Sequence, residues 1–275
     1  SLALRPRALP RRQADAARLR PRRVDRRVGD HRDRRRGRRP LVRARRAAGG
    51  AQSRLPARDA RRAPAPARAA FVNGALRSGP LTLQRYLALP PGRAGVPPAM
   101  LLCHGFPVAA GDSRHSASTF PELIDRVATE LGWAAMTFTF RGCASSEGDF
   151  SMQGWMDDLR AAIDHLVAET SPSGVWLVGT NTGGSLALCC GADDPRVNGC
   201  ALLGARADFD DWAEHPRRFL EHAREVGVVR TPGFPRRFDE WSRELRRFRP
   251  VDAARRFAPR PLLVMHGDDD DMVPH

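Results

Sequence analysis

The chain has 275 residues, room for one large domain or two small ones, and a formal net charge of +15. No run of ~18 apolar residues occurs, which argues against a membrane span, and the N-terminus lacks the apolar stretch of a secretory signal. The charge is concentrated at one end: residues 1–70 hold 24 Arg and 5 Asp, a net of +19, whereas residues 71–275 carry a net of −4.

Residues 1–70 are mostly Arg, Ala, Pro and Gly and contain no Phe, Trp, Tyr, Ile, Met or Cys. Such a segment has little apolar surface to offset its conformational entropy, so it is expected to be a disordered tail. Its arginines could meet phosphates, yet it has no stacking aromatics and no nucleic-acid motif, which argues against a nucleic-acid partner. Two readings stay open: a solvated or partner-binding tail, or GC-rich DNA translated upstream of the true start or out of frame.

From Phe71 the texture is that of globular protein. Phe71–Leu89 reads as two short strands around a Gly-Pro turn. Ala99–Cys103 is a short apolar strand running into His104-Gly105. A helix is expected near Phe120–Leu131, capped by Ser118 or Thr119, with Leu123, Ile124, Val127 and Leu131 on one face and Gly132 ending it. Trp133–Phe140 is the next strand. Ser151 caps a helix whose Trp155, Leu159, Ile163, Leu166 and Val167 form a stripe. Val175–Val178 is a strand, Thr182–Cys190 a small-residue helix, Gly199–Leu203 a strand and Pro261–Met265 the last strand. Apolar strands alternating with amphipathic helices predict a doubly wound, mostly parallel sheet with helices on both faces and an antiparallel pair at its edge. Residues 208–256 interrupt that alternation with charge and aromatics, and predict a helical insertion above the sheet, with helices around Asp210–Val226 and Asp239–Arg247.

Four segments carry candidate chemistry. Val178–Leu186 (VGTNTGGSL) takes a strand through a tight turn into a helix, placing Asn181 above the sheet at a helix N-terminus. Leu101–Pro107 (LLCHGFP) ends a strand at His104, which reads as an organiser of the turn. Phe140–Phe150 (FRGCASSEGDF) reads as a polar loop leading to a helix cap. Leu262–Pro274 (LLVMHGDDDDMVP) carries four consecutive aspartates, but it lacks the spaced oxygens and distal Glu of a calcium loop, so no metal is expected. The five cysteines are odd in number and form no C-x-x-C pair; three sit in apolar runs, as small core residues would. That usage favours a reducing compartment, so a cytoplasmic protein is expected.

In this order the four segments resemble the α/β-hydrolase superfamily, in particular its serine aminopeptidase-like and dienelactone hydrolase-like members. The resemblance covers essentially all of 71–275. It implies an α/β-hydrolase sheet with a helical cap insertion at 208–256 and hydrolysis of an ester or amide bond in a small molecule by a serine-type triad, without a cofactor. It places Asn181 at the nucleophile position between the elbow glycines Gly179 and Gly183, the amides of Phe106 and Thr182 at the oxyanion hole, and Asp270 at the triad acid.

Two departures follow. Asparagine has no ionisable oxygen or thiol, so a base cannot activate it as it does serine. Ser185, one turn further on, should point into packing. The family's histidine lies one strand and helix beyond the acid, whereas this chain ends at His275; the expectation is C-terminal truncation, and His275 itself is not that histidine. The chain as given is therefore expected to be inactive. Three readings stand: a hydrolase-family member, a degenerate hydrolase that binds a small ligand, and a nucleic-acid-associated protein using the tail.

Overall fold

The computed structural model describes residues 70–92, 95–109, 120–270 and 273. Of the tail expected at 1–70, residues 1–69 lie outside these residues and Ala70 already belongs to the first strand; Ser118, Thr119 and His275 also lie outside them.

Seven strands form one sheet in the order β1-β2-β4-β3-β5-β6-β7. β1 (Ala70–Ser78) and β2 (Leu81–Leu89) make the expected antiparallel hairpin, and β2 runs antiparallel to β4 (Ala134–Phe138). β3 (Ala99–Cys103), β4, β5 (Val175–Thr180), β6 (Val197–Leu203) and β7 (Leu262–Met265) are mutually parallel. The doubly wound, mostly parallel sheet read from the sequence is the one present.

The pleat sorts the central strands between two cores. Ala99, Leu101 and Cys103 of β3 join Ala134, Met136 and Phe138 of β4 in the larger core. Met100 and Leu102, with Ala135, face the smaller one. The larger core is covered by α2 (Met152–Thr170), α3 (Asn181–Asp193) and the helical segment after β6; the smaller is covered by α1 (Pro121–Arg126) and its continuation Val127–Leu131. Ser151 caps α2 as expected, its hydroxyl accepting from the Gly154 amide at 3.0 Å.

α1 departs from the expected stripe. Phe120 is its N-cap, with no side-chain cap, and Val127–Leu131 is a π turn closed by Gly132 in the left-handed region. Its wider i→i+5 spacing rotates the later residues around the axis. Ile124 and Val127 are buried, but Leu123 and Leu131 are 42% and 63% exposed.

After β6 the chain forms α4 (Asp210–Glu214), α5 (Pro216–Glu225), α6 (Phe238–Glu244) and α7 (Pro250–Phe257). The single helix expected at 210–226 is broken at Pro216, which begins α5. α7 went unread in the sequence. It packs along α3, so within 208–256 only α4–α6 depart from the sheet's own alternation. Arg260 closes that corner: its guanidinium donates to the carbonyls of Gly191 (2.8 Å), Ala192 (3.1 Å), Asp194 (3.0 Å) and Val197 (3.0 Å). The cation suits the C-terminal end of α3 and ties it to the start of β6 at Val197.

Candidate active site

The parallel strands β3, β5 and β6 end side by side, bringing the His-Gly turn after Cys103 against the strand-to-helix turn after Thr180. A side chain on Gly105 would put its Cβ 2.8 Å from the Cβ of Asn181. On Gly183 it would run into the His104 carbonyl, and on Gly179 into the backbone of Gly184. The two elbow glycines are therefore demanded by backbone contact. The left-handed conformation falls on Asn181 itself, at φ 48°. Asparagine is among the few non-glycine residues that adopt it readily. Gly183→Ala is expected to cost about 1–3 kcal/mol, toward the upper end because the obstructing atom is backbone; a fall in the urea midpoint checks it, and an unchanged midpoint would contradict the close approach.

Asn181 is half-buried and Thr182 fully buried. The Asn181 carboxamide oxygen accepts from the Thr182 amide at 2.6 Å and from the Thr182 hydroxyl at 3.0 Å. The amide that the resemblance assigns to an oxyanion hole is thus held by the residue beside it. The Phe106 amide has no hydrogen-bond partner among the described residues. Ser185 is fully buried, and its hydroxyl donates to the Arg206 carbonyl at 2.8 Å, the packing role expected of it.

His104 organises the turn. Its Nδ1 meets the Gly105 carbonyl at 2.8 Å and its Nε2 accepts from the Phe140 amide at 3.1 Å, which assigns the proton to Nδ1. Burial brings its pKa down to about 4, so the ring is neutral near pH 7. Cys103, just before it, is no nucleophile: burial, then its neighbours Cys190 and Cys200, hold the thiol well above its usual range.

Asp270 follows β7. Its Oδ1 accepts from the Val273 amide at 2.9 Å, and its Oδ2 lies 3.4 Å from His266 Nε2. A Cβ on Gly204, at the exit of β6, would be 3.3 Å from that Oδ2, so the carboxylate stands beside the end of the neighbouring strand. In the sequence His266 offers no match to the family's histidine, but its i,i+4 spacing to Asp270 is a usable signal for this pair. Asn181 is bonded to no histidine among the described residues.

Above the His-Gly turn the Phe106 ring meets Phe150 (5.0 Å between centroids), Trp212 of α4 (5.1 Å) and Phe219 of α5 (5.3 Å). Trp212 and Phe219 stack at 4.1 Å. A cavity of about 250 Å³ opens beside them, lined by these two rings with Asp211, His215, Arg218 and His222. Trp241 of α6 donates its indole N–H to the Phe150 carbonyl at 3.1 Å, tying the helical segment to the loop after β4. No cluster of three or more His, Cys, Asp or Glu side chains placed to hold a metal occurs among the described residues. No helix among them is long and apolar enough to cross a membrane.

A profile of the alpha/beta hydrolase family matches residues 100–275. The chain belongs to that family. Among solved structures it is similar to Est1E from Butyrivibrio proteoclasticus with ferulic acid bound, at 17% identity and a TM-score of 0.55, covering 74% of this chain and 81% of that one. It is also similar to Pyrococcus horikoshii acylaminoacyl peptidase, at 15% identity and a TM-score of 0.52, covering 73% of this chain and 32% of the peptidase. At these identities the likeness is one of fold. No curated protein matches the sequence. Within this hydrolase-family frame, β3, β5 and β7 each deliver one of the candidate segments to the same end of the sheet.

Proposed function

We propose that this chain carries the acyl-binding site of a small-molecule ester or amide hydrolase, with asparagine where the nucleophile would stand, and that it does not turn over such bonds by a serine-type route. The observation that carries this reading is Asn181 itself, seated in the left-handed elbow conformation with its carboxamide oxygen bonded to Thr182. An amide nitrogen is neither ionisable nor activated by a base, so no acyl-enzyme forms there. In this reading the Phe106 amide is the open oxyanion donor, the Thr182 amide being engaged by the Asn181 carboxamide, and Asp270 is the triad acid. Helices α4–α6 cap the pocket, with Trp212 and Phe219 as its apolar wall. Ferulic acid on Est1E and the name acylaminoacyl peptidase support an acyl group as the shared ligand feature. All five cysteines are free and buried, which accords with a cytoplasmic setting.

The test is covalent labelling. A fluorophosphonate probe is expected to leave the chain unlabelled and p-nitrophenyl butyrate to be hydrolysed at the rate of an Asn181→Ala control. Labelling at Ser185 with matching esterase activity would overturn the proposal.

A further inference from the structure

The carboxamide of Asn181 has a determined direction. Its oxygen faces two donors, the Thr182 amide and the Thr182 hydroxyl. Rotating the amide would set its NH₂ against the Thr182 N–H, donor against donor, so the oxygen stays there. Nδ2 then points away from Thr182, and it has no protein partner among the described residues. The residue is only half-buried. One residue beyond Gly105, whose Cα abuts Asn181, the Phe106 amide is a second N–H without a partner among the described residues.

We propose that this elbow is a binding site for the carboxylate of a small organic acid, held by Asn181 Nδ2 and the Phe106 amide. The inference rests on the acyl-site reading above and deepens it. A serine hydroxyl both donates and accepts, whereas Nδ2 only donates. Replacing one by the other removes the nucleophile and adds a donor at the elbow. Both groups are neutral N–H donors, and a carboxylate forms charge-assisted bonds to them that a neutral ester or amide carbonyl does not. The acid's apolar body has a neighbouring wall in Phe106, Trp212 and Phe219, beside the cavity of about 250 Å³. The competing carboxylate, Asp270, is already engaged by His266 and the Val273 amide.

The probe is 3-phenylpropanoate, with 3-phenylpropanamide as its neutral counterpart, titrated into the ¹⁵N-labelled full chain. The acid is expected to bind at least tenfold tighter than the amide, with the Asn181 side-chain NH₂ resonances moving to saturation. Asn181→Asp is the decisive variant. It keeps an oxygen on the Thr182 amide while turning the donor into a charged acceptor, and a carboxylate at the start of α3 suits the helix. It should weaken the acid by more than tenfold, with the backbone spectrum otherwise retained. Equal binding by Asn181→Asp, unmoved Asn181 NH₂ resonances at saturation, or no saturable binding would overturn the proposal. Failure here with no fluorophosphonate labelling removes this inference alone; labelling at Ser185 removes the acyl-site reading whatever the acid does.

Discussion

Replacing Asp158 by alanine is expected to destabilise the domain by about 3–5 kcal/mol, the cost of leaving a charge unpaired inside a protein. For a domain of this size that is a fall in Tm on the order of 10 °C. Asp158 sits on α2 with its side chain wholly buried, and Arg141 opposite is 18% exposed. The carboxylate accepts from Arg141 three ways: from the backbone amide at 2.9 Å, from Nε at 3.0 Å and from a terminal guanidinium nitrogen at 2.7 Å. The Arg141 carbonyl in turn accepts from the Trp155 indole at 3.1 Å, and that indole stacks on Phe140 at 4.3 Å. One carboxylate therefore fixes the first residues after β4, and Phe140 in turn donates its amide to His104 under the site. A double variant, Arg141→Met with Asp158→Leu, should recover much of the loss because it removes both charges together. Thermal melts of the three chains decide it. A shift of less than about 3 °C in the single variant would show that solvent reaches the guanidinium and screens it.

That network marks how far the sequence could be read. Strands β3, β4 and β5 were legible because short apolar runs ending in glycine or a polar turn leave few alternatives. The elbow was legible for a related reason: glycines at 179 and 183 are written where backbones touch, and that constraint leaves a trace in the chain. Helix α7 had its start signal in Pro250, but charged and aromatic residues around it hid a buried set of only Pro250, Ala253 and Phe257. The exposure of Leu123 and Leu131 was not legible, since a π turn cannot be told from an α turn by spacing of apolar residues alone. Side-chain decisions were the least accessible. Nothing in VGTNTGGSL says that the asparagine oxygen will take its neighbour's amide, and nothing in MHGDDDD says which aspartate will sit beside His266. Both depend on groups that meet only after β5, β6 and β7 have been laid side by side. β7 shows the same dependence: its Leu263, Val264 and Met265 are 54%, 58% and 53% exposed, because among the described strands it has a neighbour only in β6.

Acid should weaken the fold through His104, in a window set by that residue. The imidazole is 2% exposed and bonded in its neutral form on both nitrogens. Burial brings its pKa from 6.5 to about 4 in the folded chain. Below pH 6.5 the unfolded chain therefore takes up a proton that the folded chain refuses. The stabilisation is complete above pH 6.5 and is lost progressively as the pH falls to about 4, a total of about 3 kcal/mol. The carboxylates act lower down. Asp194, bonded by the Arg196 guanidinium, and Asp149, where burial is outweighed by bonds from Thr231 and Arg230, both lie below their ordinary value of 3.8, so their contributions fade only under about pH 4. His165 is also lowered, chiefly by burial, but it is common to wild type and variant. The measurement is urea unfolding from pH 7 to pH 4 for the wild type and His104→Gln, a side chain that can donate and accept but does not titrate. The wild-type curve should fall more steeply than the variant's between pH 6.5 and 4, and the two should run parallel above pH 7. Parallel curves throughout would mean that the ring is protonated in the folded chain, with the Phe140 amide no longer bonded to it and the turn beneath Asn181 held by something else.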